Sequence, residues 1–339
     1  MLTLTEALLP AFARGCSVLG SGGGGDVGVT LAAARQSLAE HGPVDVVDPE
    51  ELPGDALVMS CGMIGSPAVS AERIGGPVEA RTLRATVERL HGVPVGALMS
   101  SEIGGSNGCV AVAWAALLGL PLLDADAMGR AFPRMDQSAL EVAGLPPTPS
   151  VLVDHRGRTV VLDRVDGPWM ERITRGVLDS FGGVAAASEY PLRAGQVRAA
   201  AVTGSVSRAL AIGEALGGGV PAAPGAGLTR LVTGKVAEVE RATDGSTEAV
   251  VEGLGGDAGR LLRIVAQTEY LAAFEDGRER ALVPDVVAVL DTRTAAAVQV
   301  DELRYGMRVS VLTAPCAPVW RTARGLELAG PRAFGLAAP

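Results

Sequence analysis

The sequence predicts an α/β protein: a layered N-terminal α/β domain followed by a smaller, strand-rich C-terminal domain. Three observations carry this. Up to about residue 166, short apolar β-rich runs alternate with helical stretches, the pattern of strands joined by helices in a partly parallel sheet. Beyond about residue 228 the pattern changes to short strands separated by turns, as in a small barrel or sandwich. The length, 339 residues, fits two domains at roughly 100–200 residues each. We place the division at 1–166 and 167–339.

Thr5–Phe12 reads as a short helix, and a glycine-rich turn, Gly20–Gly25, follows it. Val29–Glu40 has helical composition and stops at Gly42-Pro43. Val44–Val47 and Ala56–Ser60 are strand-like, Val69–Leu90 is helical, and Val95–Met99 is another strand. Asn107–Leu118 reads as an apolar helix and Pro121–Leu123 begins the next strand. Val151–Val153 and Thr159–Leu162 flank His155-Arg156-Gly157-Arg158 as a hairpin. Trp169–Phe181 reads as helix, Val197–Val202 as strand and Val206–Leu216 as helix. Gly217–Gly227 is linker-like. Strands are then expected at Arg230–Glu240, Glu248–Glu252, Leu261–Gln267, Val286–Leu290 and Arg308–Thr313.

Hydrophobic residues make up 48% but aromatic residues only 3%, so Ala, Val and Leu must build the core. The net charge of −9 argues against nucleic-acid binding, which needs a concentrated basic face. All but one of the 29 basic residues are arginine, so Lys235 alone would carry any Schiff-base or P-loop lysine role. Three histidines disfavour a His-rich zinc site, and a metal would lean on carboxylates or cysteines. The N-terminus shows no signal peptide. The longest apolar stretch, Val110–Leu123, is too short for a membrane span and is broken by Gly119 and Pro121. Cys16, Cys61, Cys109 and Cys316 are widely spaced without a C-x-x-C pair, which fits a reduced, cytoplasmic protein. The low-aromatic, apolar composition suggests patches for self-association, hence a homo-oligomer.

Four segments could carry chemistry. Gly20-Ser21-Gly22-Gly23-Gly24-Gly25-Asp26 precedes a helix; its N–H groups could approach a ligand, or an anion at that helix's N-terminus. No Gly-Lys-Ser/Thr follows, so it is not a Walker A loop, and the bland alternative is a tight surface turn. Ser60-Cys61-Gly62-Met63-Ile64-Gly65-Ser66-Pro67 follows a strand and precedes a helix, where open α/β sheets place ligands. Cys61 there is either a nucleophile or a small core residue. Ser100-Ser101-Glu102-Ile103-Gly104-Gly105-Ser106-Asn107-Gly108 has the same placement. Ser106 or Asn107 would cap the helix, and Glu102, without such a duty, would act as acid or base. In Leu123-Asp124-Ala125-Asp126-Ala127-Met128-Gly129-Arg130, Asp124 and Asp126 would share one face of an extended strand end. They could hold a divalent metal ion or share a proton; alternatively they cap a helix and pair with Arg130. Late in the chain Glu269 could reach a site between domains, whereas Asp285 and Asp301 read as turn and cap residues.

The ordered segments GSGGGGD, GMIGSPAVSAE, SEIGGSNG, PLLDADAMGRAFP, GKV, QTEYLAAFEDG, VPDVVAVLD and LRYGMRVSVL resemble the S-methyl-thiohydantoin desulfurase family over about residues 10–335. The resemblance implies an N-terminal α/β domain with a smaller C-terminal domain. It also implies a hydrolase that removes sulfur from a small-molecule thiohydantoin ring, leaving a hydantoin and releasing a thiol or sulfide. For that chemistry the residues themselves suggest Glu102, Asp124 or Asp126 as base, with or without a divalent metal. Cys61 offers a covalent variant. Gly22, Gly23, Gly24, Gly25, Gly104 and Gly105 would donate N–H groups to developing charge, and Arg130 would orient a carboxylate or ring carbonyl. Ser66, Asn107 and Glu269 would line the substrate. The competing readings are another hydrolase or cyclase of hydantoin-like or lactam rings, a non-catalytic small-molecule-binding subunit of a hydantoinase-type complex, and a nucleotide-dependent enzyme using GSGGGGD.

Overall fold

The structure, a computed structural model, describes residues 2–72, 76–217, 219 and 226–336. Two sheets organise them. The first has ten strands, with a parallel centre formed by Val44–Val47, Leu122–Asp126, Val95–Ser100 and Leu57–Gly65 in that spatial order. Leu2–Leu4 extends one side. Val184–Ser188, Ser150–Val153 and Thr159–Leu162 extend the other, all antiparallel. Successive residues of the central strands face opposite sides. Leu57, Met59 and Cys61 enter one apolar core with helices Leu9–Leu19, Val27–His41, Pro77–His91, Ser106–Leu118 and Ser205–Ala215. Val58, Ala97, Met99, Leu123 and Ala125 enter another with helices Gly167–Phe181 and Ala194–Ala200. Helices on both faces explain why these strands read as near-continuous apolar runs.

The strand Leu57–Gly65 changes partner midway. Leu57–Cys61 pairs with Val95–Ser100, and Gly62–Gly65 pairs with Val184–Ser188. The parallel neighbours therefore end at Cys61, Ser100 and Asp126, and the chain turns away from the sheet at one shared edge.

The second sheet has seven antiparallel strands in the order Arg278–Leu282, Tyr270–Glu275, Leu261–Ala266, Thr247–Gly253, Thr229–Arg241, Arg308–Ala314 and Val286–Asp291. It curls, bringing Tyr270–Glu275 against Val286–Asp291 around its own core. Val286, Ala288 and Leu312 also pack into the first core. A fourth cluster, Met128, Phe132, Leu271, Val283, Trp320 and Phe334, joins the two sheets beside the Asp126–Arg130 turn.

Several expected elements differ. The first helix is Leu9–Leu19, not Thr5–Phe12. Gly15 looks like a helix breaker in sequence, yet this helix crosses Ser205–Ala215 so closely that a Cβ on Gly15 would stand 1.7 Å from the Ala209 carbonyl oxygen. Val69–Leu90 is two helices, Pro67–Glu72 and Pro77–His91, each opened by proline. Val197–Val202 is not a strand: Ala194–Ala200 is helical, with the Arg193 N–H donating to Gln196 Oε1 at 2.8 Å as a start signal, and only Val202–Thr203 is extended. Strands Tyr270–Glu275 and Arg278–Leu282 and helix Ala323–Ala329 were not expected. Most of the linker-like Gly217–Gly227 lies outside the described residues.

Candidate active site

The edge where the parallel strands end gathers two turns from the first sheet, the turn between helices Leu9–Leu19 and Val27–His41, and one turn from the second sheet. The Glu102–Asn107 turn follows strand Val95–Ser100, and Asp126–Phe132 follows Leu122–Asp126. The Ser21–Gly25 turn packs over them, and Thr268-Glu269 closes from the second sheet. Ligand sites in open α/β sheets lie at such edges.

Asp126 holds this edge together. It is fully buried, and its Oδ2 accepts from the N–H groups of Ile103 at 2.9 Å, Met128 at 3.0 Å and Gly129 at 2.7 Å. One carboxylate thereby ties the Glu102 turn to the Arg130 turn. Burial raises its pKa to about 6, against the three N–H groups, which favour the charged form. Asp124, on the same strand face, has a different duty. It accepts from the N–H groups of Val206 and Ser207 and the Ser207 hydroxyl, capping the helix that starts at Ser205. Asp124 and Asp126 lie on the sheet face opposite Leu123 and Ala125, but their carboxylates engage separate donors. Asp124 is taken up by its cap donors and Asp126 Oδ2 by three N–H groups, while Asp126 Oδ1 is buried without a hydrogen-bond partner; among the described residues no group of three or more His, Cys, Asp or Glu side chains is placed to hold a metal ion. The donor set does not fit the expected divalent metal.

Glu102, Glu269 and Arg130 form the charged cluster. Glu102 is 7% exposed, Glu269 3% and Arg130 1%. Burial raises the Glu102 pKa well above the usual carboxylate range, and the charges of Glu269 and Asp126 add to it. The Phe132 N–H, 3.3 Å from Glu102 Oε2, and the Asn107 carboxamide, 3.5 Å from Oε1, oppose this only in part. Burial raises Glu269 as well, while the Thr268 hydroxyl, 2.6 Å from its Oε2, and the Arg130 charge pull it down. Arg130 is lowered to about 10 by burial, with Glu269 and Glu102 among the charges that resist. Its Nε donates to Ala131 O at 2.9 Å and one terminal nitrogen to Asp285 O at 2.6 Å; the other terminal nitrogen is buried without a protein acceptor among the described residues.

The glycines serve close packing. Gly24 (φ +72°) and Gly105 (φ +73°) meet backbone to backbone, and a Cβ on Gly105 would stand 2.2 Å from Gly24 O. The Ser106 N–H donates to Gly24 O at 2.8 Å. A Cβ on Gly23 would stand 2.6 Å from Glu269 Oε1, so only glycine leaves that carboxylate its place. The expected oxyanion role fails for two of these residues: the Gly23 N–H donates to Gly20 O at 2.8 Å and the Gly105 N–H to Cys16 O at 2.7 Å. A Cβ on Gly104 would strike Leu19 O and Ala131 N, and one on Gly22 the Tyr270 ring. The second sheet fastens this turn: Tyr270 N–H donates to Ser21 O at 2.6 Å and Val300 N–H to Gly22 O at 2.9 Å. The expected anion site at the following helix is occupied by the chain itself, since Asp26 accepts from Gly28 N–H as its cap.

Cys61 is fully buried. Burial, then the nearby Glu189 charge, pushes its thiol pKa far up, the reverse of what a nucleophilic thiolate needs. Ser66 starts the helix Pro67–Glu72, its N–H donating to Gly183 O at 2.9 Å.

A cavity of about 270 Å³ lies between helices Val27–His41 and Ser106–Leu118; Glu102, Arg130 and Glu269 are not among its lining residues. Gly25, Met63 and Ser106 form its inner end. Asn107 links that end to the cluster: its Oδ1 accepts from Met63 N–H at 2.7 Å, and its Nδ2 lies 3.2 Å from Met63 O and 3.5 Å from Glu102 Oε1. Asn107 thus bridges Met63, which lines the cavity, to Glu102. Sequence reasoning missed Phe132, which donates to Glu102 and lies 4.9 Å under the Arg130 guanidinium, and the Asp285 carbonyl that holds Arg130. Phe132 stands two residues past Arg130 in the quoted motif, the only signal available for it.

No helix among the described residues is long and apolar enough to cross a membrane. No curated protein matches the chain. A crystal structure of a protein from Chromobacterium violaceum is similar in fold, with 24% identity, a TM-score of 0.81, and 99% of this chain and 97% of that one covered. Family models match in tandem, the S-Me-THD-like N-terminal domain over residues 7–164 and the S-Me-THD-like C-terminal domain over residues 165–339. With both halves matched in order, the chain belongs to the S-Me-THD-like family.

Proposed function

We propose that the protein hydrolyses a thiohydantoin-type ring at C2, releasing a thiol and leaving a hydantoin. One observation carries the reading: two buried carboxyl groups with raised pKa values, Glu102 and Glu269, beside a buried guanidinium with one nitrogen unpaired. Paired carboxyl groups whose environments differ divide acid and base work between them. Glu102 is the more strongly raised, which suits it to give a proton. Glu269, pulled down by Thr268 and Arg130, suits the base.

For an S-methyl substrate the steps balance as follows. Glu269 takes a proton from water as its oxygen bonds to C2, and the electron pair of the C2–N double bond moves to nitrogen. Arg130 and Asn107 offer donors to the ring as negative charge builds there. The C2–S bond then breaks, Glu102 protonates the departing methanethiolate, and the hydroxyl proton of the intermediate moves to the ring nitrogen. The net change is water in, methanethiol out. Glu102 is recharged by the proton that Glu269 gained. No metal enters any step.

The test is thiol release from S-methyl-thiohydantoins. Glu102→Gln is expected to lower kcat at least about 10²-fold, the lower range for losing a proton donor, with an unchanged melting temperature. Full turnover by that variant refutes the assignment, and absence of thiol release by the unaltered protein refutes the reaction.

A further inference from the structure

We propose that the substrate ring carries an extended apolar substituent, and that the groove between helices Val27–His41 and Ser106–Leu118 holds it. This rests on the ring-hydrolysis reading above and deepens it by naming the substrate class.

The groove is far longer than a five-membered ring. From Ser106 to Leu117 the helix wall runs about 16 Å at 1.5 Å per residue. A ring at the inner end, by Gly25, Met63 and Ser106, leaves most of that length to a substituent. The two helices run side by side in the same direction: Gly25 meets Ser106 at one end, and the Ser37 hydroxyl donates to Ala113 O at 2.6 Å farther along. The face that helix Ser106–Leu118 turns to the groove is apolar past Ser106. Val110, Ala113, Trp114 and Leu117 recur at the three- and four-residue spacing of a single helix face. Val29 and Ala33 stand opposite, and Pro67 and Pro77 form a third side.

The ionisable groups stand at the ends, and between them the only polar side chains among the described lining residues are the hydroxyls of Thr30, Ser37 and Ser70. The outer end holds Gln36, Glu40 and His41, with Gln36 Nε2 donating to Glu40 Oε1 at 2.9 Å. Among the described lining residues the ionisable groups are Asp26, Glu40 and His41, so acids exceed bases. Asp26 is committed to its own helix cap. An apolar stem gains contact along the whole wall. A carboxylate-bearing stem would meet Asp26 at one end and Glu40 at the other.

The experiment is titration calorimetry with three unreactive probes: 5-benzylhydantoin, hydantoin itself and hydantoin-5-propionate. The benzyl compound is expected to bind roughly 10- to 100-fold tighter than hydantoin, the range for burying one large apolar side chain. The propionate is expected to gain nothing over hydantoin. Ala33→Leu, which pushes a larger side chain into the groove from a helix that tolerates leucine well, is expected to erase most of the benzyl preference. Equal binding of benzyl and parent compounds, a preference for the propionate, or an unaltered preference in Ala33→Leu overturns the proposal. Thiol release assayed in parallel separates the two readings. Turnover of thiohydantoins without a benzyl preference leaves the chemistry standing and overturns the groove assignment. A benzyl preference that Ala33→Leu erases, without thiol release, upholds the groove and overturns the chemistry. Binding of none of the three probes overturns the groove assignment outright.

Discussion

Replacing Asp126 by asparagine should make the protein's stability less dependent on pH, and the size of the change follows from its surroundings. Asp126 is fully buried and its pKa stands at about 6 rather than the ordinary 3.8. The folded state therefore holds this proton more tightly than the unfolded chain does. The stability this contributes is fully present below about pH 4 and is lost as pH rises through about 6. At about 1.4 kcal/mol for each pH unit separating the folded and unfolded values, the loss is about 3 kcal/mol. Asparagine keeps an oxygen for the N–H groups of Ile103, Met128 and Gly129 but carries no titrating proton. The unfolding free energy of the unaltered protein minus that of Asp126→Asn should thus fall by about 3 kcal/mol between pH 4 and pH 8. Relief of Glu102, which the Asp126 charge also raises, adds to the fall in the same direction. Denaturant unfolding followed by circular dichroism, with unchanged m values, reads this difference, and the other carboxylates cancel in the subtraction. A difference that is flat across this range, or that grows with pH, refutes the argument. Asp126→Ala provides the contrast: it leaves three buried N–H groups without their acceptor and should cost about 3 kcal/mol or more.

Arg130→Gln should move the acidic limb of the pH–rate profile upward by about one unit or more, because the cation that lowers Glu269 is gone; an unmoved limb would show that Glu269 is not the base. Gly213→Ala should cost about 3 kcal/mol, roughly 4 °C in melting temperature for a chain of this length, since its Cβ would stand 1.6 Å from Ala11 O where two helices cross; a melting temperature equal to that of the unaltered protein would contradict that packing. Cys61→Ala should lower stability by about 1–2 kcal/mol, a small cavity in a sealed site, while thiol release persists; loss of turnover in a folded variant would restore Cys61 as a nucleophile.

Local signals made much of this fold legible. Val44–Val47 has the expected ends because Gly42-Pro43 before it and Asp48-Pro49 after it both punctuate the chain. The hairpin closing over residues 154–158 was legible from its glycine and flanking valines. What failed was set by distant partners. Gly15 sits mid-helix because another helix needs the space, which no local rule reveals. Val197 was read as strand because alanine and valine suit either state, and the capping contact of Gln196 tipped the balance. The same division holds at the site. Glu102 was legible as a carboxylate without a local duty, placed at a strand end. The difference between Asp124 and Asp126 was not, because Asp124 answers to helix Ser205–Ala215, some eighty residues downstream.

The glycines illustrate how a motif and its chemistry can part. Five glycines in six positions suggest a loop that offers N–H groups to an anion. Here the Gly23 and Gly105 N–H groups turn inward to Gly20 O and Cys16 O, and Asp26 fills the helix terminus. What the missing side chains provide is nearness. Gly24 lies on Gly105, Gly23 makes room for Glu269, and Tyr270 and Val300 from the second sheet grip the Ser21 and Gly22 carbonyls. The second sheet also supplies Asp285 O to Arg130, and the Trp320 indole N–H donates to Met128 O at 2.7 Å. Glu269 thereby approaches Glu102 and Arg130 closely enough for each charge to shift the others. The carboxyl pair proposed for acid–base work is therefore a property of the joined halves, one carboxyl from each sheet's turns, and the glycine run is the spacer that lets them meet.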